Sequence, residues 1–349
     1  MSGEVTLVAP AGASVGEPRA NTRNLQIDVA RGFAIVLVVL GHNRAISRWW
    51  PDLVAAIFLF HVPLFFLLSG WVMRREPVLK ATGVLTRRLL VPCFVAALIV
   101  GAVKCVTRDE SVAQTAFGIV WATGQTLPWS HLWFLPALFL ALLATQILWE
   151  IIGDRALQWF VATGVLAVLA ALVSPPSPLG LPWSLDLLPL CLVFVWLGRT
   201  LRQSPGLMSL LLMPGTWFLA ALSFAALIGV AHVDLNMRVF TPYFLALTAA
   251  VCGCVLTLGV AAFSSRFPAC ANLFSFLGRH TLAIFILHVS IQKAMLATFD
   301  RWVSIPANAS WVPGLITSAA AIAAAVAIDR YVFERVGMLR FLFLRRRAS

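Results

Sequence analysis

Three side chains in the first apolar stretch, DVARGFAIVLVVLGHNR (28–44), are spaced so that they could act together. On an α-helix each residue turns about 100° and rises about 1.5 Å. Arg31 and His42 therefore differ by about 20° and stand about 16 Å apart along one face. Asp28, one turn before Arg31, falls on the same stripe. One face thus carries an acid and a base at its entry and an imidazole deep inside. Ionisable groups at membrane depth are costly and face a bundle interior or a watery cavity. This face reads as the wall of a reaction chamber.

A second group follows in FLFHVPLFFLLSGWVMRR (58–75). If this stretch runs antiparallel to the first, His61 stands about 21 Å above Arg75, at a depth similar to His42. A lone intramembrane histidine also serves as a packing residue bonded to a carbonyl, and for His61 both readings stand. Arg74, Arg75, Lys80, Arg87 and Arg88 gather at the mouth of this helix pair. They are either the ordinary basic flank of a cytoplasmic loop or an anion site, where paired guanidiniums would meet the phosphates of a donor. His288 and Lys293 share a later span and would line the same cavity or serve structure. Ser69-Gly70 reads as a candidate substrate contact or as a close approach of two helices. Asp329 and Arg330 read as a local charge pair or as interfacial anchors. No Gly-rich phosphate loop, zinc motif or serine elbow occurs, and no metal is expected. The six cysteines fit no metal spacing and read as small packing residues.

The elements that must hold these groups are membrane helices. Hydrophobic residues make up 60% of the 349 and charged residues 11%, where a soluble domain has about 25%. Mean hydropathy is +0.91. Apolar runs recur along the whole chain, so the expected fold is all-α, a polytopic membrane bundle of about ten transmembrane helices. The runs are 29–46, 53–73, 84–104, 131–150, 156–173, 185–200, 209–231, 242–263, 280–299 and 312–333. The stretch 111–128 reads as an interfacial or re-entrant piece. Residues 1–24 read as a disordered cytoplasmic tail, 25–335 as the membrane domain, and 336–349 as a basic cytoplasmic tail. The first apolar run lacks a cleavage site and is read as retained. With the amino terminus inside, 19 of the 26 basic residues fall on the cytoplasmic side and both termini are cytoplasmic. The net charge of +12 sits in alternate loops, which argues against nucleic-acid binding.

The chain resembles acyltransferase family 3, the integral membrane O-acyltransferases that modify cell-surface glycans and related molecules. RNLQIDVARGFAIVLVVLGH (23–42) contains Arg31, ten residues and then His42, like the family's signature. FHVPLFFLLSGWVMRR (60–75) is similar to its second-helix motif, and HLWFLPALF (131–139) and SFLGRHTLAIFILH (275–288) to later, weaker patterns. The resemblance is strongest to short, fucose O-acetylase-like members, and it implies a bacterial inner-membrane enzyme. It implies an acyl-CoA donor, acetyl-CoA by default, whose phosphates meet Arg74 and Arg75 together with Arg87 and Arg88. His42 would be the general base or a transient acyl carrier, with Arg31, Asp28 and His61 in the catalytic group and His288 and Ser69 toward the substrate. The acceptor would be a hydroxyl of a carbohydrate or lipid-linked glycan. The alternative is a transporter or flippase with a central polar cavity, in which His42, His61, His288 and Lys293 form a relay. No inverted repeat is visible to favour it.

Overall fold

The computed structural model describes residues 24–153, 155, 158–159, 161–162, 164–165, 168, 179–302, 311–333 and 335. The two tails read from the sequence, 1–24 and 336–349, lie outside these residues except for Asn24, and the apolar run 156–173 lies largely outside them.

The first helix, α1 (Leu25–Gly41), is opened by Asn24, whose side chain accepts from the Ile27 amide at 3.3 Å. The sequence pattern carries this helix to residue 46. The structure ends it at His42, because Asn43 adopts an extended backbone and caps the short helix α2 (Arg44–Trp49) instead. The Asn43 side-chain oxygen accepts from the amides of Ala45 and Ile46 at 3.0 and 3.4 Å. Helix α3 (Pro51–Val72) then runs back alongside α1, with Pro51 at its first position, where a missing N–H costs nothing.

A continuous helical rod follows, from Val78 to Arg108. It comprises α4 (Val78–Leu85), a π-helical turn (Thr86–Leu90) and α5 (Val91–Arg108). The stretch expected to lie at an interface forms the ten-residue α6 (Val112–Trp121). A 3₁₀ turn (Ser130–Trp133) leads into α7 (Phe134–Ile152), and another (Pro182–Leu187) leads into α8 (Leu188–Gln203). The run read as one span over 209–231 is instead a bent pair, α9 (Pro205–Leu211) and α10 (Pro214–Leu227), at 62° to each other. Pro214 accounts for the break: it cannot donate to the preceding turn, and it holds Met213 extended at ψ 141°. A hairpin, β1 (His232–Asp234) and β2 (Val239–Thr241), pairs Val233 with Phe240 in antiparallel register. The chain finishes with α11 (Tyr243–Ser264), α12 (Pro268–Arg279), α13 (Thr281–Trp302) and α14 (Val312–Ile328), the last running into a π turn (Asp329–Phe333).

The fold is therefore an all-α membrane bundle. Among the described residues seven helices are long and apolar enough to cross a membrane, or eight if the bent pair is one span. The expected ten is not reached in this count. At 17 residues α1 is about 26 Å long, less than the roughly 30 Å hydrocarbon core. Large apolar side chains such as Leu98, Ile99, Phe218, Leu222 and Phe244 are exposed along the helices, as lipid-facing surface requires.

Small residues permit a close crossing of α3 and α8. A Cβ on Gly70 would sit 2.0 Å from the Val195 carbonyl oxygen, and one on Gly198 would sit 1.8 Å from that of Leu67. The SGW segment thus lets the α3 and α8 backbones touch, the helix-approach reading of Ser69-Gly70.

Candidate functional site

Four of the six histidines converge from four separate elements. His42 caps the end of α1, His61 lies in α3, His131 in the turn before α7, and His288 in α13. The His42 ring centre is 5.4 Å from His288, 6.0 Å from His61 and 6.4 Å from His131. His131 and His288 are 5.3 Å apart. His61, His131 and His288 are buried, whereas His42 is only half-buried, so His42 is both the hub of the cluster and its most open member. The sequence places His42 deep along α1; in the structure it sits where the helix ends.

The same local device orients three of the rings. His42 Nδ1 donates to the Val38 carbonyl at 2.9 Å and His61 Nδ1 to that of Ile57 at 3.0 Å. His288 Nδ1 donates to the carbonyls of Ile284 and Phe285 at 3.0 and 2.8 Å. A carbonyl only accepts, so the proton of each ring is on Nδ1, and in the neutral ring Nε2 keeps a lone pair. The Nε2 atoms of His131 and His288 are buried with no hydrogen-bond partner in the protein. Such atoms are costly unless they serve a ligand or a reaction. Among the described residues, no three His, Cys, Asp or Glu side chains form a group that could hold a metal ion.

A buried polar network holds the corner beside His42. Asn43 Nδ2 is within 3.0 Å of the Gly314 carbonyl, 2.9 Å of Thr317 Oγ1 and 3.0 Å of Ser318 Oγ. Gln292 Nε2 donates to the Val39 carbonyl at 2.9 Å and to Ser318 Oγ at 3.2 Å. These bonds tie the end of α1 to α13 and α14. Phe58 closes one side of the cluster, its ring 5.7 Å from His42 and 4.8 Å from His61.

The remaining candidates lie away from the imidazoles. Asp28, buried, and Arg31, half-buried, are at the other end of α1, where an acid in the first turn suits the helix dipole. That end packs closely on α12: a Cβ on Gly278 would meet the Asp28 carbonyl oxygen at 2.0 Å. Ser69 is two turns beyond His61 on α3, about 12 Å along the axis. Arg74 and Arg75 follow α3, and Arg87 and Arg88 occupy the π turn; all four are exposed. The loop carrying the first pair is fixed to α7, since Gln146 Nε2 donates to the Arg74 carbonyl at 2.7 Å and Glu150 accepts from the Val78 amide at 2.9 Å. Arg202 Nη1 donates to the Trp71 and Met73 carbonyls at 3.2 and 2.9 Å, completing the end of α3. Asp329 bonds His280 Nδ1 at 2.6 Å, so its partner is the histidine at the junction of α12 and α13. Lys293 is exposed on α13, not inside the cluster.

The structure thus brings His42, His61 and His288 together and adds His131, which the sequence places in a motif but not in the site. The basic group is separate, its first pair, Arg74 and Arg75, standing about 20 Å from His61 by residue count along α3.

A helical membrane bundle with buried imidazoles at one level and exposed arginines at another fits a membrane acyltransferase, and the comparisons agree. Residues 24–330 match the acyltransferase domain of acyltransferase family 3, and the chain belongs to that family. It is similar to nodulation protein NolL of Sinorhizobium fredii, 26% identical over 59% of this chain and 58% of that protein. It is also similar to nodulation protein NolL of Mesorhizobium japonicum, 24% identical over 43% of this chain and 42% of that protein. The matched region thus covers about half of these relatives' length. No solved structure matches the chain.

Proposed function

We propose that this protein is a membrane-bound O-acyltransferase moving an acyl group, acetyl by default, from acyl-CoA to a hydroxyl of a glycan or related acceptor. The observation that carries the reading is the imidazole cluster, with Nδ1 protons committed to backbone carbonyls and Nε2 lone pairs left for chemistry. His42 is the reacting residue because it alone of the four is reached from outside. Its Nε2 takes the proton of the acceptor hydroxyl as the oxygen attacks the thioester carbonyl. The carbon–sulfur bond then breaks, CoA leaves as the thiolate, and the proton held on His42 returns to sulfur. In the carrier variant, Nε2 itself attacks the thioester carbonyl, the carbon–sulfur bond breaks and CoA leaves as the thiolate; the acceptor oxygen then attacks the acyl carbon, the carbon–Nε2 bond breaks, and the hydroxyl proton goes to the CoA thiolate.

The donor enters at the exposed arginines. Arg74 and Arg75, with Arg87 and Arg88, suit phosphate oxygens, and the pantetheine arm spans the separation between them and the imidazoles. This puts the arginine end in the cytoplasm of a bacterial inner membrane, with both termini on that side and the histidine end facing outward.

The test is acetyl-CoA consumption by the detergent-purified chain with mixed glycan acceptors. His42→Ala should abolish CoA release while eluting as a folded species, and Arg74→Ala/Arg75→Ala should raise the donor KM. Turnover that survives all three changes overturns the reading.

A further inference from the structure

Beside the imidazoles lies a second feature that the acyl-transfer reading leaves unused. An open cleft of about 390 Å³ lies between the start of α3 and the β1–β2 hairpin, lined by Ala55, Phe58, His232, Asp234, Met237 and Val239 among others. Small-molecule sites begin at about 300 Å³. Phe58 belongs to both places: it lines the cleft, and its ring packs on His42 and His61. Phe58 therefore links the cleft to the imidazole cluster. Asp234 is also within electrostatic range of His42.

The hairpin wall is anchored as a functional surface needs to be. Arg238 Nε pairs with Asp186 at 3.1 Å, both side chains almost fully buried, and its Nη2 donates to Ser184 Oγ at 3.3 Å. Gln125 Nε2 donates to the Asn236 carbonyl at 3.4 Å. Asp234, one of the residues lining the cleft, is held by the turn: its Oδ1 accepts from the Met237 amide at 3.1 Å. The lining thus combines an aromatic ring, a held carboxylate, an exposed imidazole and apolar side chains. That mixture suits a neutral, polyhydroxylated ring: C–H faces lie on Phe58 and Met237, and hydroxyls donate to Asp234. It does not suit an anionic ligand such as the CoA phosphates, which the carboxylate repels.

We infer that this cleft is the acceptor subsite, that it takes a single sugar ring, and that Asp234 and Phe58 are its specificity-determining residues. The inference rests on the acyl-transfer reading. Donor and acceptor then approach His42 from opposite ends of α3, with no shared binding residues.

The test uses the full chain in detergent, acetyl-CoA as donor, and methyl glycosides of fucose, glucose and N-acetylglucosamine as acceptor probes. Asp234→Asn keeps the oxygen that accepts from Met237, so the turn persists, and His232→Ala trims an exposed side chain. Asp234→Asn is expected to raise the acceptor KM at least tenfold, and His232→Ala severalfold, with the donor KM within twofold of wild type. An acceptor KM unchanged in both variants, or a donor KM that rises in step, overturns the assignment. If the wild type transfers acetyl neither to these probes nor to the mixed glycan acceptors, the acyl-transfer reading fails separately. Saturation-transfer NMR of the same glycosides then judges the cleft: a signal lost in Asp234→Asn supports it, and a signal absent from wild type or equal in the variant overturns it.

Discussion

Asn43→Ala isolates how the imidazole of His42 is held. Asn43 is fully buried and does two jobs. Its oxygen caps α2 through Ala45 and Ile46, and its amide reaches Gly314, Thr317 and Ser318. Loss of a cap costs about 1 kcal/mol. An interhelical hydrogen bond inside a membrane protein averages about 0.6 kcal/mol, and an amide has two protons to give, so the second job adds about 1 kcal/mol. Thr317 Oγ1 keeps its bond to the Pro313 carbonyl and Ser318 Oγ keeps that from Gln292, so neither is stranded. The total is about 2 kcal/mol, or about 30-fold in the unfolding equilibrium. Asn43→Ser retains a cap and should lose only about half. The assay pairs thermal unfolding in detergent with kcat for acetyl-CoA consumption. Because Asn43 adjoins His42, kcat should fall by more than tenfold in the alanine variant at temperatures where it is still folded. Equal stability and equal kcat for wild type and Asn43→Ala would refute the claim that this corner positions the base.

Further expectations can be checked with the same preparations. His131→Gln should lower kcat at least tenfold while donor KM stays near wild type, because His131 lies in the cluster and far from the arginines; unchanged kcat would remove it from the site. Arg87→Gln/Arg88→Gln should raise the donor KM and make it less sensitive to salt, measured across a KCl titration from low to physiological ionic strength and above. Asp186→Ala strands Arg238 in a nearly dry position and should destabilise the hairpin by about 3 kcal/mol, read as accelerated proteolysis within 232–241. Gly198→Val should abolish the folded monodisperse peak, since the nearest obstacle to its Cβ is backbone rather than a side chain that can turn away.

The class of the fold was legible because apolar runs of membrane length are too long and too uniformly apolar for the helices of a soluble core. Helix ends were less so. Nothing in the hydropathy of GHNRAIS separates α1 from α2; the break depends on Asn43 finding partners in α14, some 270 residues away. The bend at Pro214 was readable in principle, since a proline inside an apolar run marks a candidate break. Helix α12 and the hairpin do not stand out in the sequence, because each is short and owes its form to neighbours. In the site, Arg31 and His42 keep the spacing along α1 read from the sequence, Arg31 near its start and His42 at its end. His131 is hard to assign from sequence because it precedes its helix and belongs to no periodic pattern.

The π turn at Thr86–Leu90 has a consequence for how this protein tolerates changes in length. An α-helix with one residue removed swings everything on one side of the cut by about 100° relative to the other. A π turn already contains one residue more than an α turn needs. Deleting a residue within 86–90 would let the rod close into plain α-helix, with Val78–Leu85 and Val91–Arg108 still in phase, whereas the same deletion at Ala97 would rotate half the rod out of its packing. Thr86–Leu90 is thus an adjustable joint in an otherwise fixed rod, and the side chains re-aimed by adjusting it are Arg87 and Arg88.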